Sequence, residues 1–360
     1  MECNTMAVAE TLAKITQDGA SDIFIVAGLP LSYKRKGVFV EESEQKLMPG
    51  DTAAFIHEIY ELAGSRDMTR LEKFGDDDFS FALKGVARFR INAYKQRGSL
   101  SAVIRVINFN IPDPSERNIP SNIIEFADRK KGMVLVTGPA GSGKSTTLAC
   151  MIDHINKTRH AHIITLEDPL EYLHMHKMSI VSQREVVTDT DSYLTALRAS
   201  LRQSPDVILL GEMRDYETMN VAMTAAETGH LVLSTLHTIG ASNTIDRIID
   251  AFPPNQQHQI ALQLSMVLQA VVSQQLVPST DGGLVPAFEI MTLTPAIRNM
   301  IRESKVHQID GMIYASAADD MIAMDASLLN LYKEGKITDK TALTYATNAE
   351  LLQKKLALVK

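Results

Sequence analysis

Apolar residues recur along this chain in two rhythms, one with the period of a helix and one of short runs that are apolar on both sides. Val8, Leu12 and Ile15 carry the helical rhythm over Ala7 to Thr16, which ends near Gly19. Ser21 to Ala27 reads as a buried strand, Gly28-Leu29-Pro30 as a turn, and Leu31 to Val40 as a second strand broken at Gly37. The polar stretch Glu41 to Gly50 leads into a predicted helix over Thr52 to Leu62. Beyond Asp76-Asp77-Asp78, strands are predicted at Phe79 to Leu83, Val86 to Tyr94 and Ser101 to Ile107. In the middle one, Arg88, Arg90 and Asn92 alternate with Phe89, Ile91 and Ala93, which gives one basic face and one buried face. These elements predict a small α+β domain over residues 1–107.

Pro112, Pro114 and Pro120 crowd the run 108–121, where they disfavour both a helix and a central strand, so this run is expected to be a linker and a hinge. Four short apolar runs follow in residues 122–360: Met133 to Thr137, His162 to Leu166, Val207 to Leu210 and Leu231 to Thr235. Runs apolar on both faces and separated by helical segments suit a parallel sheet covered by helices, an α/β domain. Further on, Ile260, Leu264, Val267, Leu268 and Val271 have the spacing of an amphipathic helix over Asn255 to Leu276, and Pro278 to Leu284 reads as a loop. Ala296 to Glu303 predicts a short helix with Ile297, Met300 and Ile301 inward and Arg298, Arg302 and Glu303 outward. Met321 to Lys333 and Thr341 to Val359 are expected to close the chain as two helices.

In an open α/β sheet the ligand site forms beyond the carboxyl ends of the strands, and each of the four runs ends in polar or ionisable residues. After the first comes Gly138-Pro139-Ala140-Gly141-Ser142-Gly143-Lys144-Ser145, the phosphate-loop pattern between a strand and a helix. Its glycines let backbone N–H groups curl close to phosphate oxygens, and the helix adds its positive N-terminal end. Gly138, Gly141, Ser142, Gly143, Lys144, Ser145 and Thr146 are therefore the candidate ATP-binding residues. Lys144 suits the β- and γ-phosphates and the Ser145 hydroxyl suits Mg²⁺. After the second run comes Glu167-Asp168-Pro169-Leu170-Glu171, and after the third Gly211-Glu212-Met213-Arg214-Asp215.

Glu212 is expected to hold Mg²⁺ directly or through water, although it follows Leu210-Gly211 where an Asp at the strand end is commoner. Glu171 or Glu167 would orient the attacking water. His237, after the fourth run, and His230, at that run's other edge, could sense the γ-phosphate or link the site to its neighbours; a structural role for either fits the sequence as well. Arg198, Arg202, Arg214 and Arg247, and the basic face of Arg88, Arg90 and Arg105, offer candidates for a finger to the phosphate, in cis or in trans.

Composition narrows this little. In 360 residues, 45% are apolar and 22% charged, as in ordinary globular chains, and the net charge of −7 gives no overall basic footprint for nucleic acid. No run is long and apolar enough for membrane insertion and no signal-peptide layout opens the chain, so a cytoplasmic protein is expected. Cys3 and Cys150 lie too far apart for a zinc knuckle, and the spacings of His154, His160, His162, His174 and His176 do not match zinc ligand patterns.

Five motifs in order resemble the secretion ATPase superfamily, and within it the type IV pilus retraction ATPases. They are Gly138 to Ser145 (Walker A), Thr165 to Glu171 (the Asp box), Asp206 to Asp215 (Walker B), Thr224 to Thr238 (the His box) and Ala296-Ile297-Arg298-Asn299-Met300-Ile301-Arg302-Glu303, with Met300 where the family has Leu. The resemblance reaches back to Gly19-Ala20-Ser21-Asp22, although Ile23-Phe24-Ile25 stands where Leu-His-Leu is more usual. It implies a PAS-like N-terminal domain, a RecA-like ATPase domain and a homohexameric ring. It also implies Glu171 as catalytic glutamate and Glu212 as the Walker B glutamate. A platform protein of the inner membrane at the pilus base is the implied partner, reached from the cytoplasm. Assembly and type II secretion ATPases of the superfamily typically carry a tetracysteine zinc insert and a longer N-terminal extension, and their lack here favours retraction. An ATP-dependent switch without motor activity and a nucleic-acid translocase share the sheet and loop; the acidic balance speaks against the translocase.

Overall fold

The computed structural model describes residues 5–35, 37–107, 110–316 and 320–359. Cys3 lies outside them, as do Asn108 and Phe109 of the expected linker. The chain divides into two compact units, Met1–Asn110 and Ile111–Lys360.

The first unit runs α1 (Thr5–Gln17), β1 (Asp22–Ile25), β2 (Pro30–Arg35), β3 (Val38–Lys46), α2 (Pro49–Leu62), α3 (Thr69–Phe74), β4 (Asp76–Leu83), β5 (Ala87–Gln96) and β6 (Ser99–Ile107). All six strands join one antiparallel sheet in the order β3-β2-β1-β6-β5-β4. Leu12, Ile15, Ile56 and Ile59 of the helices are fully buried with Ile23, Ile91 and Ile104 of the sheet.

The strand expected over Leu31 to Val40 is a hairpin, and its second arm runs on through the polar Glu41–Lys46. As the sheet's outer strand, β3 meets solvent along most of its length, so no apolar alternation marks it. The acidic run Asp76-Asp77-Asp78 opens β4 instead of preceding it. Asp77, 1% exposed, is tolerated there because Arg66 Nε (3.0 Å) and Nη2 (3.1 Å) and Tyr60 Oη (2.9 Å) donate to its carboxylate.

The second unit runs α4 (Ser121–Glu125), β7 (Gly132–Thr137), α5 (Lys144–Thr158), β8 (His162–Glu167), β9 (Ile180–Glu185), α6 (Tyr193–Ser200), β10 (Val207–Leu210), α7 (Tyr216–Glu227), β11 (Leu231–Leu236), α8 (Ala241–Asp250) and α9 (Gln257–Val267). It continues through β12 (Leu268–Pro278), β13 (Leu284–Thr292), α10 (Pro295–Arg302), α11 (Ile309–Ala315), α12 (Met324–Lys333), α13 (Asp339–Tyr345) and α14 (Ala349–Ala357). The sheet order is β13-β12-β7-β11-β10-β8-β9, parallel except for β13. The four predicted strands are its contiguous middle, β7-β11-β10-β8. Helices α4 and α5 cover one face, against Val134, Val136 and Ile163, and α6 to α11 cover the other, against Leu135, Ile164 and Ile208.

Three expectations need correction in this unit. The helix predicted over Asn255 to Leu276 ends at Val267, and Leu268 starts β12. A strand buried on both faces shows an unbroken apolar run, which periodicity cannot tell from a buried helix. The closing helix over Thr341 to Val359 is two, α13 and α14, because the Asp325 carboxylate accepts the backbone N–H groups of Thr347 (2.7 Å) and Asn348 (3.0 Å) between them. The proline-rich run is not free-standing from Ile111 onward. Ile119, 6% exposed, packs into the second unit's core, and Cys150 Sγ donates to the Pro112 carbonyl at 3.3 Å.

Candidate functional site

Strand β7 ends in Thr137, the loop turns through Gly138 (φ +141°), Gly141 (φ +76°) and Gly143 (φ +89°), and α5 starts at Lys144. Gly138 is required by contact as well as by backbone, since a Cβ there would lie 2.1 Å from the Gln274 carbonyl oxygen; one on Gly143 would meet only the Gln274 side-chain Nε2, at 2.8 Å. Gln274, on β12, also accepts from Thr147 Oγ1 at 2.7 Å, so it fastens the loop and the first turn of α5 together. Lys144 is 8% exposed and its Nζ donates to the Gly138 and Pro139 carbonyls, both at 2.9 Å. Burial lowers its pKa below the usual lysine value, while Glu171 and Glu212 nearby oppose the shift.

A cleft of about 530 Å³ opens over the loop at the carboxyl ends of the strands. It gathers Gly141, Gly143, Lys144, Ser145 and Thr146 from the loop with Glu167, Glu171, Glu212 and His237 from the other strand ends. Gly138 and Ser142 shape the loop without lining the cleft; Ser142 is 2% exposed.

Glu212 Oε1 accepts from Arg214 Nη2 at 2.5 Å, and its Oε2 lies 3.3 Å from His237 Nε2. Burial alone would raise the Glu212 carboxyl, but Arg214 and His237 outweigh it and hold the group below the usual carboxylate range. Glu167 is the opposite case. Burial pushes its carboxyl up to about 7, and among the described residues its Oε1 has no hydrogen-bond partner. The two carboxyls of one cleft are thus shifted in opposite directions, the condition for dividing acid–base roles between them.

His230 is not brought to this cleft. It precedes β11, at the opposite end of the sheet, where its Nδ1 lies 2.9 Å from the Ala225 carbonyl and its own carbonyl accepts from Gly132 N at 3.0 Å. Its nearness in sequence to His237 misleads because the whole of β11 separates them. Among the candidate arginines of this unit, Arg214 lines the cleft; Arg198, Arg202 and Arg247 are exposed elsewhere. Within the first unit Arg88 donates to Ser80 Oγ (2.7 Å), Arg90 pairs with Asp78 (2.7 Å) and Arg105 with Asp22 (3.3 Å).

Sequence reasoning missed Tyr172, Tyr193, Thr235 and Gln274. Tyr193 and Thr235 also line the cleft, and Thr235 Oγ1 donates to the Gly211 carbonyl at 2.5 Å. For Gln274 a signal existed, the polar Ser273-Gln274-Gln275 inside an otherwise apolar run. The histidines with unsuitable spacings serve other bonds: His154 pairs with Asp128 at 2.8 Å, and His162 meets Gln203 O (2.9 Å) and Ser182 Oγ (3.0 Å). The predicted arginine helix is α10, capped by Thr294 Oγ1 on Ile297 N (3.2 Å), with Ile297 and Ile301 fully buried and Arg302 exposed. Among the described residues, no helix is long and apolar enough to cross a membrane.

His174, 8% exposed behind this cleft, gives a pH prediction. Burial pushes its imidazole down to about 4. The unfolded chain takes up this proton near the ordinary histidine pKa of about 6.5, so between those values the unfolded state binds more protons and stability falls as pH drops, by at most about 3 kcal/mol. His174→Gln is expected to lessen the fall in Tm between pH 7 and 5. An equal fall in both proteins would rule His174 out as its source.

The sequence model of the family described as Type II/IV secretion system protein matches residues 4–323. The chain is 44% identical over 337 residues to the type IV pilus retractation ATPase PilT of Pseudomonas aeruginosa, covering 94% of this chain and 97% of that one. It is 49% identical over 274 residues to a twitching motility protein of Neisseria gonorrhoeae, covering 76% and 73%. A crystal structure of the pilus retraction motor PilT with bound ADP superposes with a TM-score of 0.88 at 45% identity, covering 96% of this chain and 98% of that one. A phosphate loop at the head of a mostly parallel sheet, acidic residues at the neighbouring strand ends and these likenesses agree: the chain belongs to the Type II/IV secretion system protein family.

Proposed function

We propose that this chain is a motor ATPase that drives type IV pilus retraction, and so twitching motility. The observation that carries the reading is the meeting of the phosphate loop, Glu171, Glu212 and His237 in one cleft at adjoining strand ends, in a chain 44% identical to a pilus retraction ATPase. Lys144 and the N–H groups of the loop bind the β- and γ-phosphates of ATP. Glu171 orients and polarises the attacking water and takes up its proton. Arg214, placed beside Glu212, is the cleft's own candidate for charge on the γ-phosphoryl. His237 reports the state of Glu212 to the loop after β11. The Ser145 hydroxyl and the ionised Glu212 carboxylate fit Mg²⁺, which takes one or two protein oxygens and completes its shell with water and phosphate. Bound there, it would neutralise charge developing between the β- and γ-phosphates.

In this reading six copies form a ring, the first unit of one copy, PAS-like in architecture, closing against the second unit of the next. The ring works from the cytoplasm on a platform protein of the inner membrane at the pilus base. Helix α10, with its arginines outward and its isoleucines buried, couples the turnover to that work. The testing measurement is ATP turnover per subunit across a range of protein concentrations without nucleic acid. Turnover is expected to rise with concentration to a plateau, as a site completed between subunits requires. Binding without turnover at every concentration would favour a nucleotide-dependent switch.

A further inference from the structure

Glu171 stands on a segment, residues 168–179, that is neither helix nor strand. A group that must hold a water to within a fraction of an ångström needs fixing by something other than its own backbone ladder. Two side chains supply it. Gln183, on β9, donates from Nε2 to the Tyr172 carbonyl at 2.9 Å and accepts at Oε1 from His174 N at 2.7 Å, so one amide grips the segment on either side of Leu173. Tyr172, next to Glu171, turns its hydroxyl to Thr146 Oγ1, and the two share a hydrogen bond of 2.8 Å. Thr146 follows Ser145 in the first turn of α5. Burial raises the Tyr172 pKa, so the hydroxyl keeps its proton and its donor capacity.

The aromatic ring is a rigid spacer with two rotatable bonds. One end is set by the Gln183 amide through the backbone, and the other by the helix that carries the phosphate loop. We propose that Tyr172 is a positioning residue for hydrolysis, fixing the distance from Glu171 to the phosphate loop through its bond to Thr146, with Gln183 holding the Tyr172 backbone in place. The proposal rests on the reading that Glu171 orients the attacking water. Neither side chain touches the reacting atoms in this account; both act through the placing of Glu171.

The test uses the full chain. Tyr172→Phe keeps the ring and removes one oxygen. It is expected to lower kcat about tenfold, the loss of one hydrogen bond's worth of positioning, while ATP affinity changes less than about twofold. Gln183→Met, of similar length without the amide, should act in the same direction. The decisive comparison is Tyr172→Phe in a Glu171→Gln background, read by single-turnover hydrolysis. If Tyr172 acts through Glu171, the second change costs nothing further. Wild-type kcat in Tyr172→Phe, an equal loss in both backgrounds, or a loss of ATP affinity with kcat intact would each overturn the proposal. A Glu171→Gln protein that hydrolyses ATP at the wild-type rate would instead remove the role given to Glu171, a different failure. Should Gln183→Met fail to fold, Tyr172→Phe alone still decides, since it leaves the packed ring in place.

Discussion

Lys144→Ala is expected to abolish ATP turnover, with a loss of at least about a hundredfold, the scale seen when a single donor to a developing charge is removed. The Lys144 ammonium lies buried at the turn of the loop, between two backbone carbonyls at 2.9 Å and in the field of the Glu171 and Glu212 carboxyls. A phosphate oxygen entering the cradle offers it a charged partner in place of a neutral one. Among the described residues, Lys144 is the one lysine that lines the cleft, so no neighbouring ammonium there replaces it. Nucleotide titration and turnover, measured on protein shown by circular dichroism to be folded, check this. Full activity in Lys144→Ala would mean that this loop is not the site.

Glu171→Gln keeps size and shape and loses only the base, so it should bind ATP but hydrolyse it about 10²- to 10⁴-fold more slowly, the usual contribution of general base catalysis. Glu167 is the group that could take its place. Its carboxyl, pushed up to about 7, opens into the same cleft and is partly ionised near neutral pH. Glu167→Gln is therefore measured beside it. Loss of turnover in Glu167→Gln with none in Glu171→Gln would move the base to the end of β8 itself.

The middle of the second unit was legible because a parallel strand covered on both faces has to be apolar, and because chemistry collects where such strands end. Val207 to Leu210 and Leu231 to Thr235 announce themselves on both counts. The sheet's flanks were harder. In β9, outermost beside β8, Ile180 is 64% exposed and Gln183 and Arg184 are half-buried, so it has no apolar signature. Strand β12 is apolar enough to pass for the continuation of α9. The phosphate loop and the two glutamates after strands could be named from sequence, since each follows a strand in the chain. Tyr172 and Gln183 could not, because what they do depends on partners 26 and 9 residues away respectively, and Gln274, whose partner is 127 residues away, showed only as a polar break in an apolar run. His230 shows the converse: a residue type suited to the chemistry, set by one strand's length at the wrong end of the sheet.

Strand β12 places Ser273 and Gln274 side by side, and because side chains alternate along a strand they point to opposite faces of the sheet. Gln274 backs the phosphate loop, while Ser273 Oγ accepts from Gly240 N at 2.9 Å, beside Glu289, which accepts from Ala241 N at 2.8 Å and so anchors the loop that carries His237. Both walls of the cleft thus take their setting from the phase of one strand. A single residue gained or lost within β12 would exchange the two faces and detach both walls at once. The turn at Ser279 to Gly283 lies outside the paired strands, so a change in its length leaves that phase untouched, although Ser279 and Thr280 also donate to the Lys336 and Gly335 carbonyls (3.0 and 2.9 Å). Insertions placed by mutagenesis at the tip of this hairpin are expected to spare the cleft, and those within β12 to detach its walls.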